Sequence, residues 1–269
     1  MKTIHSLYYH NPQPDGVERM IKYHQKLGYR FISLAELYEV LKRKSPVGEK
    51  LAFISLDDGW RGNLKLLPIF EKYKVPMCIF VATEPIESGN YWWEYVQKEI
   101  GCKKLQEFKN LPYKEFYQKL AEFKKRNQLN RTAMTKEELL NISKNPLVTI
   151  QSHTVTHPLL TKLPTEEALK EEFFGSKEWL EEVIGKDVYG FSYPNGWFSR
   201  REEEMCGKCY SIAFSTRQDN INVGKDNILS LPRYALTGRL YTDLLKIWGI
   251  WKYPKTIKLW LMKIQFKRI

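Results

Sequence analysis

The chain has 269 residues and a formal charge of +12, and 43% of its residues are hydrophobic and 14% aromatic. This apolar content is enough for a large core and excludes an intrinsically disordered chain. The positive charge would suit nucleic acid, anionic lipid or a polyanionic glycan equally well, so charge alone does not identify a partner.

Short apolar, β-rich runs alternate with helical patterns along the chain. The strand-like runs cover residues 4–9, 29–34, 51–56, 76–82, 147–152, 188–193, 211–214 and 229–234. Strands that alternate with helices predict an α/β fold with a parallel sheet. Residues 51–54 are apolar at every position, which indicates burial on both faces of the sheet. We therefore predict a (β/α) barrel that occupies residues 1–238.

Between residues 85 and 146 the pattern changes to lysine-rich amphipathic helix. A capping-box start is visible at Thr135 and Glu138, just before Leu139 and Leu140. We interpret this stretch as a helical insertion on the barrel.

Two carboxylates directly follow the predicted strand 51–56. Asp57 and Asp58 would lie at its carboxyl end, where α/β enzymes keep their active sites. Because Asp and Gly are also ordinary turn residues, the Asp-Asp-Gly sequence taken alone is more often a structural turn.

Two histidines follow the predicted strand 147–152. His153 and His157 are four residues apart, so a single tight helical turn would bring both imidazoles to one point. The alternative is a pair of polar histidines on a loop. Two neutral imidazoles and one carboxylate are a common ligand set for a catalytic metal, and the second carboxylate would then be free to act as a base.

These segments resemble motifs of the polysaccharide deacetylase family, carbohydrate esterase family four, whose shared unit is the NodB homology domain. Residues 54–59 (ISLDDG) resemble the family's Thr-Phe-Asp-Asp-Gly strand end, and residues 153–157 resemble its His-Ser/Thr-x-x-His motif. The resemblance extends from about residue 4 to residue 234. It implies a distorted (β/α) barrel in which Asp57 is the base. Asp58, His153 and His157 would hold a divalent metal, most often zinc and sometimes cobalt or nickel.

Residues 191–196 (FSYPNG) are similar to a third family motif, in a branch that reads Phe-Ala-Tyr-Pro-x-Gly. This resemblance implies that the Asn195 backbone N–H stabilises the oxyanion and that Tyr193 lines the sugar site. A simple Pro-Asn-Gly turn is the alternative. Ser192 stands where many members have an arginine that orients the base, and we predict that Arg233 takes over that role.

Many family members carry a general-acid histidine late in the chain, but this chain has no histidine after His157. Some members appear circularly permuted, with that histidine in an N-terminal Tyr-His segment. Residues 7–12 (LYYHNP) resemble such a segment, which implies that His10 is the general acid. The alternative is a histidine hydrogen-bonded in a loop. Trp92 and Trp93 resemble an aromatic segment of the same branch, and we predict that they stack on sugar rings, although paired tryptophans also serve packing.

Residues 239–269 carry eight Lys or Arg and one acidic residue, together with three tryptophans. A helix from Pro254 would place Ile257, Leu261 and Ile264 on one face, a pattern that suits an anionic membrane surface or docking on the barrel. The N-terminal residues lack a signal-peptide pattern, and no stretch reaches the roughly 20 apolar residues of a membrane span. We expect a cytoplasmic protein, or one peripheral to the inner membrane face.

Together these features predict a metal-dependent hydrolase that removes an N-acetyl group from an amino sugar of a polysaccharide or lipid-linked glycan. Two alternatives stay open: a deformylase or deacetylase of a small lipid- or nucleotide-linked sugar, and a catalytically silent barrel that only binds glycan. We expect an N-acetylated glycan as the partner. We expect no nucleic acid, because no recognisable nucleic-acid-binding motif accompanies the charge.

Overall fold

The computed structural model describes residues 3–44 and 48–250. The strands are β1 (Thr3–Tyr9), β2 (Tyr29–Phe31), β3 (Lys50–Asp58), β4 (Met77–Val81), β5 (Val148–Ser152), β6 (Gly190–Ser192), β7 (Ile212–Phe214), β8 (Ile221–Asn222) and β9 (Tyr234–Ala235). The α-helices are α1 (Pro14–Lys26), α2 (Leu34–Arg43), α3 (Leu67–Tyr73), α4 (Thr83–Ser88), α5 (Trp92–Ile100), α6 (Leu105–Lys109), α7 (Tyr113–Arg126), α8 (Lys136–Ser143), α9 (Glu166–Lys170), α10 (Ser176–Ile184), α11 (Arg200–Cys209) and α12 (Leu240–Ile247).

The strands form one curled sheet in the order β7-β6-β5-β4-β3-β1-β8. Neighbours from β7 to β1 are parallel, whereas the short β8 is antiparallel to β1. The rings of Phe53 on β3 and Phe214 on β7 stack at 5.2 Å between centroids, although three strands lie between β3 and β7. Such a contact requires the sheet to curl around its interior. The prediction of a distorted (β/α) barrel is confirmed.

Both faces of the central strands are buried, as the unbroken apolar run predicts. On β3, Leu51 and Phe53 belong to the cluster on the concave face, whereas Ala52 and Ile54 pack with the helices outside. Side chains alternate between faces along a strand. Asp57 therefore points into the interior, on the same face as Phe53.

The prediction for residues 229–234 is only partly correct. Leu231 forms an isolated bridge to Phe214, and the regular pairing is confined to β9, which lies parallel to β1. The two-residue β8 has no predicted counterpart, because a strand this short carries no periodic pattern.

The segment between β4 and β5 is helical and contains α4 to α8. The predicted capping box is confirmed, since the Thr135 hydroxyl accepts from the Glu138 N–H and the Glu138 carboxylate accepts from the Thr135 N–H. These helices enclose a small apolar core of their own, formed by Trp92, Val96, Phe108, Phe116, Leu120 and Phe123.

Helix α12 packs against α1. Leu244 and Ile247 are buried, and the Trp248 indole N–H donates to the Tyr23 hydroxyl at 3.1 Å. The predicted apolar face of Ile257, Leu261 and Ile264 lies outside the described residues. None of the helices in residues 3–44 and 48–250 is long and apolar enough to cross a membrane.

Two histidines lie between β1 and α1, far from the carboxyl ends of the strands; His24 is buried and His5 is half-buried. His5 Nδ1 lies 3.2 Å from His24 Nε2, and the Tyr29 hydroxyl lies 3.0 Å from His5 Nε2. Burial lowers the pKa of His5 to about 3 and that of His24 to about 4. Both imidazoles are therefore neutral in the folded protein at neutral pH.

This pair predicts an acid-sensitive fold. The folded pKa values lie below the ordinary value of 6.5, so the unfolded chain binds more protons and stability falls as the pH decreases from 6.5 towards 4. Each histidine changes the free energy of unfolding by at most about 1.4 kcal/mol per pH unit. In urea unfolding between pH 7.5 and 4.5, His24→Gln should show a shallower decline than the wild type. An unchanged slope would contradict a role for His24.

Candidate active site

Strand register brings the predicted site residues to one edge of the barrel. Asp58 pairs with Val81 on β4, and Val81 pairs with Ser152 on β5, so Asp58 and His153 lie at the same level. On the other side of β3, Tyr9 pairs with Leu56, which brings His10 to the same edge. Parallel strands thus place residues from three distant parts of the chain around one point.

Asp58, His153 and His157, which we call the Asp-His-His cluster, converge as predicted. Asp58 Oδ1 lies 3.4 Å from His153 Nε2 and 3.6 Å from His157 Nε2. One candidate donor atom from each residue lies within 4.8 Å of the other two. The three residues are 2%, 2% and 7% exposed, respectively. Buried donor atoms that converge on one point are typical of a metal-binding site.

The two histidines do not converge through a helical turn, so that part of the prediction is wrong. Residues 153–157 form a loop in which Thr154 and His157 have φ of 74° and 55°. The Thr154 hydroxyl accepts from the His157 N–H at 3.0 Å and closes this loop. Asp58 has φ of 77°, so the chain leaves β3 with a sharp change of direction. Left-handed backbone in non-glycine residues is strained and is typical of functional sites.

The hydrogen bonds and charges of the cluster suit metal coordination. His153 Nδ1 lies 2.6 Å from the Ser192 carbonyl oxygen, so Nδ1 donates and the Nε2 lone pair faces Asp58. Burial lowers the pKa of His157 to about 3, which keeps that imidazole neutral. Burial alone would raise the pKa of Asp58, but the nearby imidazoles of His10, His153 and His157 bring it below its ordinary value.

The cluster fits a divalent cation because one of its acceptor atoms has no other partner. Asp58 Oδ1 is buried and accepts no hydrogen bond, whereas Oδ2 accepts from the Trp60 indole N–H at 2.7 Å. A buried carboxylate oxygen without a partner is costly. Two imidazoles and one carboxylate suit zinc, cobalt or nickel.

Arg233 holds Asp57 through two parallel hydrogen bonds, Nη1 to Oδ1 and Nη2 to Oδ2, each of 2.8 Å. Arg233 is fully buried and also donates to the hydroxyls of Ser55 at 3.0 Å and Ser192 at 2.7 Å. Its guanidinium lies 4.1 Å from the centroid of the Tyr8 ring. This is the contact with Asp57 that we predicted from the missing arginine at position 192.

The same contact keeps Asp57 ionised. Burial raises the pKa of Asp57, but the charge of Arg233 and the hydrogen bonds that it donates outweigh burial and leave the pKa below its ordinary value. A buried carboxylate with a two-point arginine partner is both charged and oriented.

A cavity of about 630 Å³ opens above the cluster. Its walls carry eight of the ten residues that the sequence nominated: Asp57, Asp58, His10, His153, His157, Tyr193, Asn195 and Trp93. Arg233 lies beneath them in the barrel interior. His10 is exposed, and its ring packs edge-on against Tyr8 at 5.5 Å.

The Pro-Asn-Gly segment forms a tight turn at the cavity wall. Asn195 has φ of 56°, and its side-chain oxygen accepts from the Lys109 ammonium at 2.5 Å. Tyr193 is fully buried beneath the wall, where its ring stacks on Phe198 at 4.1 Å. Tyr193 therefore supports the wall from below and offers little surface to a sugar.

Trp92 does not line the cavity, contrary to the expectation that it stacks on sugar. It is 4% exposed, its ring packs edge-on against Phe116, and its indole N–H donates to the His157 carbonyl oxygen at 2.9 Å. Trp93 does reach the cavity, and its ring packs edge-on against His157 at 4.7 Å. Position 92 faces the core of the insertion because adjacent helical residues point in different directions.

Glu172, which was not among the residues predicted from the sequence, holds the histidine loop from behind. Its carboxylate accepts from the N–H groups of Val155 and Thr156 at 2.8 and 2.9 Å and from the Thr156 hydroxyl at 2.6 Å. Glu172 lies in a π-helical turn, Glu171–Gly175, and is buried. A π-turn between α9 and α10 has no distinct sequence signal, although π-turns are common near functional sites.

Comparisons with known proteins agree with this architecture. A family model described as polysaccharide deacetylase matches residues 44–208, a range that includes the Asp-His-His cluster but neither His10 nor Arg233. The Streptococcus pyogenes deacetylase PplD, solved with acetate, has a TM-score of 0.68 at 18% identity, over 91% of this chain and 97% of its own. IcaB from Ammonifex degensii has a TM-score of 0.68 at 18% identity, over 91% and 96%. At such identity these structures show a shared fold. No curated protein matches the chain.

The buried Arg233–Asp57 pair predicts strong coupling between the two residues. Arg233→Met leaves the Asp57 carboxylate buried without a partner and should lower the free energy of unfolding by about 3–5 kcal/mol. The double variant Asp57→Leu/Arg233→Met leaves no unpaired charge and should recover most of that loss. Urea unfolding in the presence of chelator measures both effects. A double variant as unstable as the sum of the two single variants would contradict this coupling.

Glu172 is predicted to support metal binding from outside the Asp-His-His cluster. Glu172→Gln weakens the acceptor for three donors of the histidine loop, and the affinity for Zn²⁺ should fall by about ten- to a hundredfold. Competition with a chromogenic chelator measures this affinity. Glu171→Gln, an exposed neighbour in the same turn, is the matched control and should bind Zn²⁺ like the wild type. Equal affinities for Glu172→Gln and the wild type would show that the loop holds its shape unaided.

Proposed function

We propose that this chain, which belongs to the polysaccharide deacetylase family, is a metal-dependent hydrolase that removes the N-acetyl group from an amino sugar of a polysaccharide or lipid-linked glycan. The observation that carries the proposal is the buried Asp-His-His cluster beside the arginine-bound Asp57, both at the floor of one open cavity. The Asp-His-His cluster suits a divalent cation, and Asp57 suits a general base.

In this proposal Asp58, His153 and His157 hold a divalent cation, most often zinc in this family. The cation would act as a Lewis acid on the amide carbonyl and lower the pKa of the attacking water. Asp57 accepts a proton from that water as it attacks the carbonyl carbon. Arg233 keeps the carboxylate charged and oriented during the approach.

The tetrahedral oxyanion and the leaving amine need partners of their own. We assign the Asn195 backbone N–H to the oxyanion, because Asn195 lies in a tight turn at the cavity wall. We assign the proton donor for the amine to His10, since it lines the same cavity from the end of β1. Proton donation to nitrogen completes cleavage of the C–N bond and releases acetate and the free amine.

Two alternatives to deacetylation of a polysaccharide or lipid-linked glycan stay open. A formyl group, or a small lipid- or nucleotide-linked sugar, would use the same residues. A catalytically silent barrel would bind glycan through Trp93 and other cavity residues but leave the amide intact. The basic segment 239–269 is proposed to contact an anionic membrane surface; its described part, α12, packs on α1.

The mechanism predicts that metal binding and proton abstraction can be removed separately by substitution of different residues. The zinc-loaded protein should release acetate from N-acetylated chitooligosaccharides, and chelator should abolish release until zinc is restored. Asp58→Asn should lose zinc binding. Asp57→Asn should keep zinc yet lower turnover by about 10²- to 10⁴-fold, because only the proton acceptor is lost. His10→Asn should likewise keep zinc and lower turnover.

Zinc content and acetate release, measured on the same samples, provide the test. His5→Asn, a histidine remote from the cavity, is the control for the histidine change and should keep both properties. Zinc bound without turnover on any N-acylated sugar, together with unchanged glycan binding by Asp57→Ala, would favour the silent barrel. Unchanged turnover in His10→Asn would remove His10 as the proton donor.

A further inference from the structure

Lys109 carries a charge into the cavity from the helical insertion. It is the last residue of α6, is half-buried, and lines the cavity opposite the ends of the barrel strands. Its ammonium donates to the Asn195 side-chain oxygen at 2.5 Å. Among the described residues, no carboxylate oxygen lies within 4.0 Å of this nitrogen. Its partners are thus uncharged: the Asn195 amide and the Trp92 ring, whose centroid lies 5.9 Å from the ammonium nitrogen.

Two other lysines of the insertion have carboxylate partners. Lys119 lies 2.7 Å from Glu115, and Lys124 lies 3.0 Å from Glu84. Burial lowers the pKa of Lys109, while the more distant Asp58 acts in the opposite direction. Partly buried cations are normally paired, because loss of hydration is otherwise uncompensated. We therefore expect a ligand to supply the anion that pairs with the Lys109 ammonium.

The nearby acidic groups are already committed. Asp57 is bound at two points by Arg233, and Asp58 faces His153 and His157. An ammonium has three donor hydrogens, and the Asn195 amide uses one of those on Lys109. Gln97 and Gln106, from the same insertion, add neutral amide donors to this wall. The wall thus offers several donors and one charge to an anion.

We propose that Lys109 binds an anionic substituent, a carboxylate or a phosphate, so that the enzyme prefers acidic N-acylated sugars to neutral ones. This inference rests on the proposed function. According to this proposal, the barrel supplies the groups that hydrolyse the amide, and the insertion selects substrates that carry a negative charge.

The test compares three small substrates: methyl N-acetylglucosaminide as the neutral sugar, N-acetylmuramic acid as the carboxylate, and N-acetylglucosamine 6-phosphate as the phosphate. Wild-type kcat/KM should be higher for at least one acidic sugar, and that preference should weaken as salt is added. The arm with the higher value identifies the anion.

Two variants separate charge recognition from support of Asn195. Lys109→Gln keeps a donor towards Asn195 but lacks the charge, and should lower kcat/KM for the acidic sugar by about tenfold, with little change for the neutral sugar. Lys109→Arg should keep the preference. Lys119→Met, which removes an exposed charge from the same insertion, should match the wild type.

Three results would overturn the inference while leaving the proposed function intact. These are equal kcat/KM for neutral and acidic sugars, turnover of neutral sugars or chitooligosaccharides alone, and an equal loss on every substrate in Lys109→Gln. The last would mean that Lys109 acts only by holding Asn195. Absence of turnover on every N-acylated sugar would overturn the proposed function and this inference together.

Discussion

The buried pair of Arg233 and Asp57 is the constraint on which the rest of the site depends. A guanidinium inside a barrel is tolerated only if its donors are satisfied, and here they bind Asp57, Ser55, Ser192 and the Ser215 carbonyl oxygen. These acceptors come from two strands, β3 and β6, and from the segment after β7. The arginine thus ties opposite sides of the barrel together and fixes the carboxylate proposed as the base.

The Asp-His-His cluster depends on a different device, which is backbone bent out of regular structure. Asp58, Thr154 and His157 all have left-handed φ, and hydrogen bonds from the surroundings hold that conformation. Glu172 accepts three of them from the histidine loop, and the Trp92 indole binds the His157 carbonyl oxygen. Strain of this kind persists only where neighbouring contacts over-determine it. The insertion therefore contributes to the geometry of the cluster as well as to the cavity wall.

Barrel and insertion divide the work of the proposed enzyme. The barrel edge supplies the Asp-His-His cluster, Asp57 and the Asn195 turn, whereas the insertion supplies Trp93 and Lys109. Because the insertion has a small core of its own, its cavity-facing residues can differ without disturbing the strands. An arrangement of this kind allows one hydrolytic centre to serve different sugars.

The sequence by itself determined the barrel, the helical insertion and the members of the Asp-His-His cluster, because each left a local pattern: buried strand runs, a capping box, and acidic or imidazole groups after strand ends. It also nominated Arg233, from the absence of arginine at position 192. Only the tertiary structure decided that the histidine loop is not helical, that Trp92 faces the insertion core, and that Glu172 and Lys109 reach the site. These features arise from contacts between segments that are distant in the sequence. A local sequence pattern predicts which face of an element is buried, but it does not predict which side chains contact each other.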